Sequence, residues 1–170
     1  MTNKPFLYLV LDEALKAMGI TTGIGKGDIV LTSDGPKVIE MAPRLSGGWF
    51  CTDQIPLATR VDLVEVAIKL ALGQAVSPSE LIPKQRQGVV IRYFFPTPGR
   101  VVGIKQAELW SAAPGIHRMG FFVHPNDRVE SVTNHTPRAG FVIATGETRA
   151  EAIERADQVV NSIQIDTVPA

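Results

Sequence analysis

The chain has 170 residues, with 17 Lys and Arg balanced by 17 Asp and Glu, and 45% of its residues are hydrophobic. These values are typical of one soluble globular domain or two small ones and argue against disorder. The formal charge of zero removes the electrostatic case for a nucleic-acid or membrane-surface partner, and no apolar run is long enough to predict a membrane span or signal peptide. One cysteine, Cys51, excludes an internal disulfide and predicts a reducing, cytoplasmic compartment.

The first half of the chain combines helices with a β-hairpin. Acidic residues at its start and Gly19 after its end predict a helix over Asp12–Met18. Two β-rich runs, Asp28–Thr32 and Lys37–Met41, flank a Ser-Asp-Gly-Pro turn at 33–36, which predicts a hairpin. Val61–Leu72 predicts a helix that is mostly buried, because its polar residues share one narrow face.

A proline-containing polar segment at 77–87 predicts a linker, which divides the chain into domains 1–76 and 88–170. The second domain is predicted to be α+β. Its predicted strands are Gly88–Phe95 with Arg100–Ile104 as a hairpin partner, Ile116–His124, Gly140–Thr145 and Ile163–Ile165. Its helix is predicted over Arg149–Ser162, because Thr148 and Glu151 form a capping box and Ala152, Ala156, Ile163, Ile153 and Val160 form a stripe.

Two acidic residues of the first hairpin form a candidate metal site. A three-residue loop, Ser33–Gly35, would pair Asp28 directly with Glu40 on one face, with roughly 5 Å between their Cβ atoms. Carboxylates at that distance repel one another unless a cation lies between them, and Mg²⁺ prefers such oxygen ligands. With a two- or four-residue loop, the two acids would lie on opposite faces and would only contact water.

The residues that follow this hairpin are suited to a phosphate ligand. Arg44 comes four positions after Glu40, where a guanidinium can bind phosphate oxygens in a bidentate manner. Gly47 and Gly48 allow the backbone to approach a substrate closely. An isolated arginine at this position is also compatible with an ordinary surface residue.

The hairpin motif resembles the last third of the ATP-grasp fold of carboxylate–amine ligases. The resemblance is carried by Ala14–Ile20, Gly23–Asp28, Asp34-Gly35 and Ile39–Arg44. It implies that Asp28 and Glu40 are Mg²⁺ ligands and that Arg44 is a catalytic residue that contacts phosphate or an acyl phosphate. Gly47 and Gly48 would take part with Arg44 in binding the nucleotide. The family commonly has Glu in place of Asp28 and Asn in place of Ala42, and the Ala resembles the branch related to L-amino-acid ligases.

The second domain resembles the C-terminal domain of those amino-acid ligases. The similarity rests on Gly88–Phe95, Pro98–Val101, Pro114–Ile116, Asp127–Val129 and the glycine-bounded strand at 140–146. Together, the two resemblances imply an α+β fold, with a partial ATP-grasp C-terminal lobe (an antiparallel hairpin plus helices) followed by a small α+β C-terminal domain.

The resemblance implies a fragment or subunit of a Mg²⁺-dependent ligase that uses ATP and a small carboxylate or amino-acid substrate. The family's nucleotide-gripping lobe lies upstream of the region that matches, so a separate N-terminal-lobe chain or self-association would complete the site. The alternative is a non-catalytic association or metabolite-binding module, and a large exposed apolar face on Phe6–Leu11 would favour it. The substrate classes left open are, in order, amino-acid ligase, carboxylase-like and purine-type ligase.

Other reactive residues have ordinary explanations. Lys26 lies in a glycine-rich stretch, but no Ser or Thr follows it and a strand is predicted next, which excludes a P-loop. His117, His124 and His135 lack zinc spacing, and Cys51 lacks a histidine base nearby in the sequence, so a buried thiol is expected there.

Overall fold

A computed structural model of the protein describes residues 4–134 and 136–169. The chain forms two compact units. One comprises residues up to Pro56 together with Val61–Pro83, and the other comprises Leu57–Arg60 together with residues from Lys84 onward. The division at residues 83 and 84 falls within the 77–87 segment, which also contains a turn of 3₁₀-helix, Pro78–Leu81.

The first unit contains a two-stranded antiparallel sheet and helices. Its elements, in chain order, are α1 (Lys4–Ala17), β1 (Lys26–Thr32), β2 (Gly35–Ala42), a π-helical turn (Phe50–Gln54) and α3 (Leu63–Ala71), with the short α2 (Ile55–Thr59) at the boundary between the units. Asp62 caps α3 and accepts hydrogen bonds from Val64 N and Glu65 N, both at 2.9 Å. The prediction that this helix is mostly buried is wrong, because only Val61 and Val66 are buried along it while Ile68 and Leu72 are exposed.

The hairpin turn differs from the prediction. Thr32 pairs with Gly35, so the loop has two residues, Ser33 and Asp34, instead of three. Thr32 Oγ1 donates to the carbonyl of Gly35 at 2.8 Å and accepts from the backbone N–H of Asp34 at 3.2 Å, which closes the loop. Gly35 has φ of +103°, a left-handed conformation that glycine adopts at low cost.

A β-bulge compensates for the shorter loop. Near the turn, Ile29 pairs with Val38, and the register then shifts so that Asp28 pairs with Glu40. Ile39 is the extra residue of β2. Without it, a two-residue loop would place Asp28 opposite residue 39. The bulge therefore restores the pairing that the predicted three-residue loop would have given.

The second unit is built from two three-stranded sheets and one helix. Its elements are β3 (Gly88–Phe94), β4 (Gly99–Lys105), a 3₁₀ turn (Ala107–Leu109), β5 (Ile116–Phe121), β6 (Arg128–Val129), β7 (Gly140–Gly146), α4 (Arg149–Ser162) and β8 (Gln164–Val168). The sheet orders are β3-β7-β5 and β6-β4-β8, with all described pairs antiparallel. The predicted hairpin of β3 with β4 is therefore wrong, since these consecutive strands lie in different sheets.

Helix α4 covers the central strand of the first of these sheets. Ala152, Ala156 and Val159 are fully buried on it and pack in one cluster with Val142 and Ala144 of β7. Small alanine side chains allow the helix to approach the sheet closely. The unit is thus α+β, as predicted. In the described part of the chain, no helix has both the length and the apolar character needed to cross a membrane.

Candidate metal and phosphate site

Asp28 and Glu40 lie opposite each other on the hairpin of the first unit. Each side chain is 53% exposed, so both carboxylates have access to solvent and to a ligand. They are placed by the register shift at Ile39, which lies next to them in β2. Bulges of this kind commonly redirect side chains beside functional sites.

A lysine ammonium joins the two carboxylates. Lys26 Nζ donates a hydrogen bond to Asp28 Oδ2 and lies 3.9 Å from Glu40 Oε1. One cation reaches both acids, so their side chains converge on the same face of the hairpin. Because two adjacent carboxylates repel each other, a positive charge between them stabilises the pair.

Arg44 extends this cluster beyond the end of β2. Its Nη2 lies 3.5 Å from Glu40 Oε1, and its Nη1 donates to the carbonyl of Leu45 at 3.2 Å. The backbone N–H of Arg44 donates to the carbonyl of Ala42 at 2.9 Å, which turns the chain directly after the strand. Arg44 also lines a cavity of about 310 Å³ within the first unit, together with Gly23 and Ala67. Arg44 is therefore placed beside the acidic pair and lines a space of ligand size.

A tight left-handed turn follows Gly47. Gly48 has φ of +64° and Trp49 has φ of +67°, so two consecutive residues adopt the left-handed conformation. A Cβ atom placed on Gly47 would meet no atom within 4 Å, which leaves that side of the backbone open. The open backbone is compatible with a ligand that approaches this loop.

The donor set at the hairpin fits Mg²⁺. Among the described residues, no group of three or more His, Cys, Asp or Glu side chains is arranged to hold a metal, so the protein offers a pair of carboxylates here. Mg²⁺ is commonly bound through one or two carboxylates, with water and substrate phosphates completing its six ligands. The ammonium of Lys26 also shows that a cation is accommodated between these two acids.

Comparison with known proteins identifies a similar domain in the second half of the chain and similar folds for the chain as a whole. Residues 92–168 match the family described as L-amino acid ligase C-terminal domain 2. The L-amino acid ligase from Bacillus licheniformis superposes with a TM-score of 0.80 at 18% identity, over 99% of this chain and 42% of that one. The chain therefore has the fold of the C-terminal portion of ATP-grasp ligases. The predicted resemblance is thereby confirmed.

A second solved structure and one protein sequence are also similar to this chain. The biotin carboxylase domain of the 2-oxoglutarate carboxylase from Hydrogenobacter thermophilus, in complex with MgADP, ADP and bicarbonate, has a TM-score of 0.64 at 17% identity. That match covers 98% of this chain and 37% of the other. "Uncharacterized protein y4rH" of Sinorhizobium fredii is 28% identical over 160 residues, or 94% of this chain. The chain spans 33% to 42% of the length of these three relatives.

Several other residues of the first unit have structural roles. Cys51 is buried, as predicted, and neighbouring Asp53 is buried and accepts a hydrogen bond from Thr52 Oγ1 at 2.5 Å. Lys69 pairs with Glu65 at 2.7 Å, as its i,i+4 spacing suggests, and also bonds Glu80. These hydrogen bonds, that to Glu65 first, raise the pKa of the Lys69 ammonium above its ordinary value.

The two histidines among the described residues, His117 and His124, belong to the second unit. His117 lies in β5, and His124 starts a turn in which its backbone N–H donates to Asp127 Oδ2 at 2.7 Å. His135 lies outside the described residues.

Sequence reasoning missed Lys26 as a member of the cluster. Its glycine-rich surroundings drew attention only as a possible P-loop, and the strand that begins at Lys26 contradicts a P-loop, as predicted. The spacing itself carried a usable signal. Residues two apart in a strand share a face, so Lys26 and Asp28 lie side by side in β1.

Proposed function

We propose that this chain supplies the metal and acyl-phosphate side of an ATP-dependent carboxylate–amine ligase. The observation that carries the proposal is the convergence of Asp28 and Glu40 around one cation, with Arg44 alongside. The fold of an ATP-grasp ligase supports it. The MgADP in the related carboxylase domain gives further support. The complete enzyme also requires a nucleotide-gripping lobe, supplied by another segment, a separate chain or a second copy.

In this reaction, the substrate carboxylate attacks the γ-phosphorus of ATP and ADP leaves. An amine nitrogen then attacks the acyl carbon, inorganic phosphate leaves, and the nitrogen loses a proton as the amide forms. No protein nucleophile is needed. Mg²⁺, when bound, neutralises negative charge on the β- and γ-phosphates.

The residues of the hairpin have separate roles in this proposal. Asp28 and Glu40 hold the metal through their carboxylate oxygens. Arg44 donates hydrogen bonds to the transferring phosphoryl group and stabilises its developing charge. Gly47 and Gly48 lie in the loop that approaches the nucleotide phosphates, and a Cβ atom on Gly47 would meet no atom within 4 Å. The preferred substrate class is an amino acid, because residues 92–168 match the L-amino acid ligase domain. The proposed compartment is the cytoplasm, because the buried free thiol of Cys51 fits a reducing environment.

The test is the formation of ADP from ATP and Mg²⁺ in the presence of L-amino acids, by the polypeptide that carries this chain. We expect Glu40→Gln to abolish ADP formation while the circular dichroism spectrum stays unchanged. Asp34→Asn is the matched control, since it removes the same charge from the exposed turn of the same hairpin. Retention of the wild-type rate by Glu40→Gln would remove the metal assignment.

A second candidate function is non-catalytic self-association. It is favoured by α1, where Tyr8 is 70% exposed and Leu9 is 59% exposed, an unusual state for neighbouring large apolar residues. Sedimentation velocity of wild type and of Tyr8→Ser/Leu9→Ser would test it. A monomeric wild-type chain would contradict it.

A further inference from the structure

Lys26 holds the position that a metal ion would take between the two acids. Its ammonium bonds Asp28 and lies 3.9 Å from Glu40, although both carboxylates are half-exposed and water could solvate them separately. The Lys26 side chain is only 22% exposed. Exposed lysines are normally mobile, so a lysine whose side chain is partly buried and whose ammonium bonds an acid is held in place.

The strand register explains why Lys26 reaches both acids. Lys26 pairs directly with Ala42, and Glu40 lies two residues before Ala42 on β2. A residue diagonal across a strand pair is within reach of a long side chain. Because Ala42 ends at Cβ, it offers no polar group that would compete with Asp28 and Glu40 for the lysine ammonium. The short Ala42 and the long Lys26 thus form a complementary cross-strand pair.

The charges of the cluster decide which ligand it favours. Lys26 and Arg44 carry two positive charges, and Asp28 and Glu40 carry two negative charges. A free divalent cation that bound between the acids would displace the ammonium. The total charge of the four residues and the metal would then be +2, because the ammonium stays in the cluster. A metal–polyphosphate complex brings its own negative charge, which attracts both the displaced ammonium and the guanidinium.

We propose that Lys26 is a resident counter-ion that makes this site discriminate against free divalent cations and in favour of metal–polyphosphate complexes. The inference rests on the proposed role of Asp28 and Glu40 as metal ligands. Lys26 occupies the cation position when no ligand is present, and it turns to phosphate oxygens when a metal–polyphosphate complex binds. It is a positioning and selectivity residue of the hairpin.

The test is binding of Mn²⁺, followed by electron paramagnetic resonance, with Mn²⁺ alone and with Mn²⁺–tripolyphosphate. For Lys26→Met we expect free Mn²⁺ to bind about tenfold more tightly, and Mn²⁺–tripolyphosphate about tenfold more weakly, than for wild type. Lys37→Met is the matched control, because Lys37 is an exposed lysine of β2 that pairs with Val30. It should change neither affinity by more than about twofold.

The double variant Lys26→Met/Glu40→Gln distinguishes a failure of the counter-ion role of Lys26 from a failure of the metal site itself. If Lys26→Met leaves both affinities unchanged while Glu40→Gln weakens Mn²⁺ binding, the counter-ion role is overturned and the metal site stands. If the double variant binds Mn²⁺ as tightly as Lys26→Met does, Glu40 is not a metal ligand and the proposed function itself is contradicted. Circular dichroism of each variant checks that the hairpin unit is folded.

Discussion

The packing of α4 in the second unit gives a prediction whose size can be worked out. Val159 has no exposed surface and belongs to the core cluster beneath the β3-β7-β5 sheet. Val159→Ala removes two methyl groups, which is worth about 1.6 kcal/mol of transfer free energy, with about 1 kcal/mol more for the cavity. Alanine recovers about 0.5 kcal/mol through its higher helix propensity. The free energy of unfolding should therefore fall by about 2 kcal/mol.

The adjacent Val160 provides a matched control. It lies on the same helix but is only partly buried at the edge of the same cluster. Val160→Ala gains the same helix propensity and loses less burial, so it should cost less than about 1 kcal/mol. The difference between the two variants isolates the contribution of burial.

Urea unfolding followed by tryptophan fluorescence measures both variants. Trp110 packs against the α4 core cluster, whereas Trp49 belongs to the first unit, so a Trp49→Phe background makes the signal specific to the second unit. The expected loss shifts the midpoint by about 1 to 2 M urea at an unchanged slope. Midpoints for Val159→Ala and Val160→Ala that agree within error would refute the packing argument.

Two further predictions concern basic residues of the first unit. The kcat/KM for ATP should fall about tenfold in Arg44→Lys, which keeps the charge but loses the bidentate fork, and about a hundredfold in Arg44→Met. An equal loss in the exposed-loop control Arg86→Met would contradict a local role. Lys69→Met removes the bonds to Glu65 and Glu80, which raise the pKa of Lys69 above 10.5. The stabilisation that Lys69 gives the folded state should therefore be complete below pH 10.5 and decline above it. If the urea midpoints of wild type and Lys69→Met differ by the same amount at about pH 8 and at about pH 11, this linkage is contradicted.

Strong local signals predicted helix α4 of the second unit well. Helix α4 spans Arg149–Ser162 as predicted, because Thr148 Oγ1 accepts from the N–H of Glu151 at 3.2 Å and alanines mark its buried face. The carboxylate of Glu151 accepts from the backbone N–H of Glu147 at 2.7 Å, one residue before the expected partner. Such signals involve residues within one or two helical turns of each other, so they can be recognised without knowing which elements pack together.

Pairing between strands was harder to predict. The segment Pro96–Gly99 looked like a hairpin turn, yet it connects strands of two different sheets, because β7 pairs with β3 and β8 pairs with β4. Those partners lie far along the chain, and no local pattern specifies them.

At the candidate site, counting the residues between Asp28 and Glu40 predicted the right pairing but the wrong turn. The pairing of Asp28 with Glu40 was predicted from a three-residue loop, whereas the structure reaches it through a two-residue loop and a bulge at Ile39. A bulge is one unpaired residue in an otherwise regular strand, and alternation of residue types does not reveal it. Lys26 was missed for a related reason, since its contacts depend on the register that the bulge sets.

The most direct test of the central claim is calorimetric titration of the complete enzyme, in which this chain is joined by its nucleotide-gripping lobe, with a non-hydrolysable ATP analogue, with and without Mg²⁺. The account predicts binding that requires Mg²⁺ and is lost in Asp28→Asn/Glu40→Gln, two conservative changes to the paired acids of the hairpin. Binding that is the same without Mg²⁺, or that persists in the double variant, would contradict the assignment of Asp28 and Glu40 as the metal ligands of an ATP-dependent ligase.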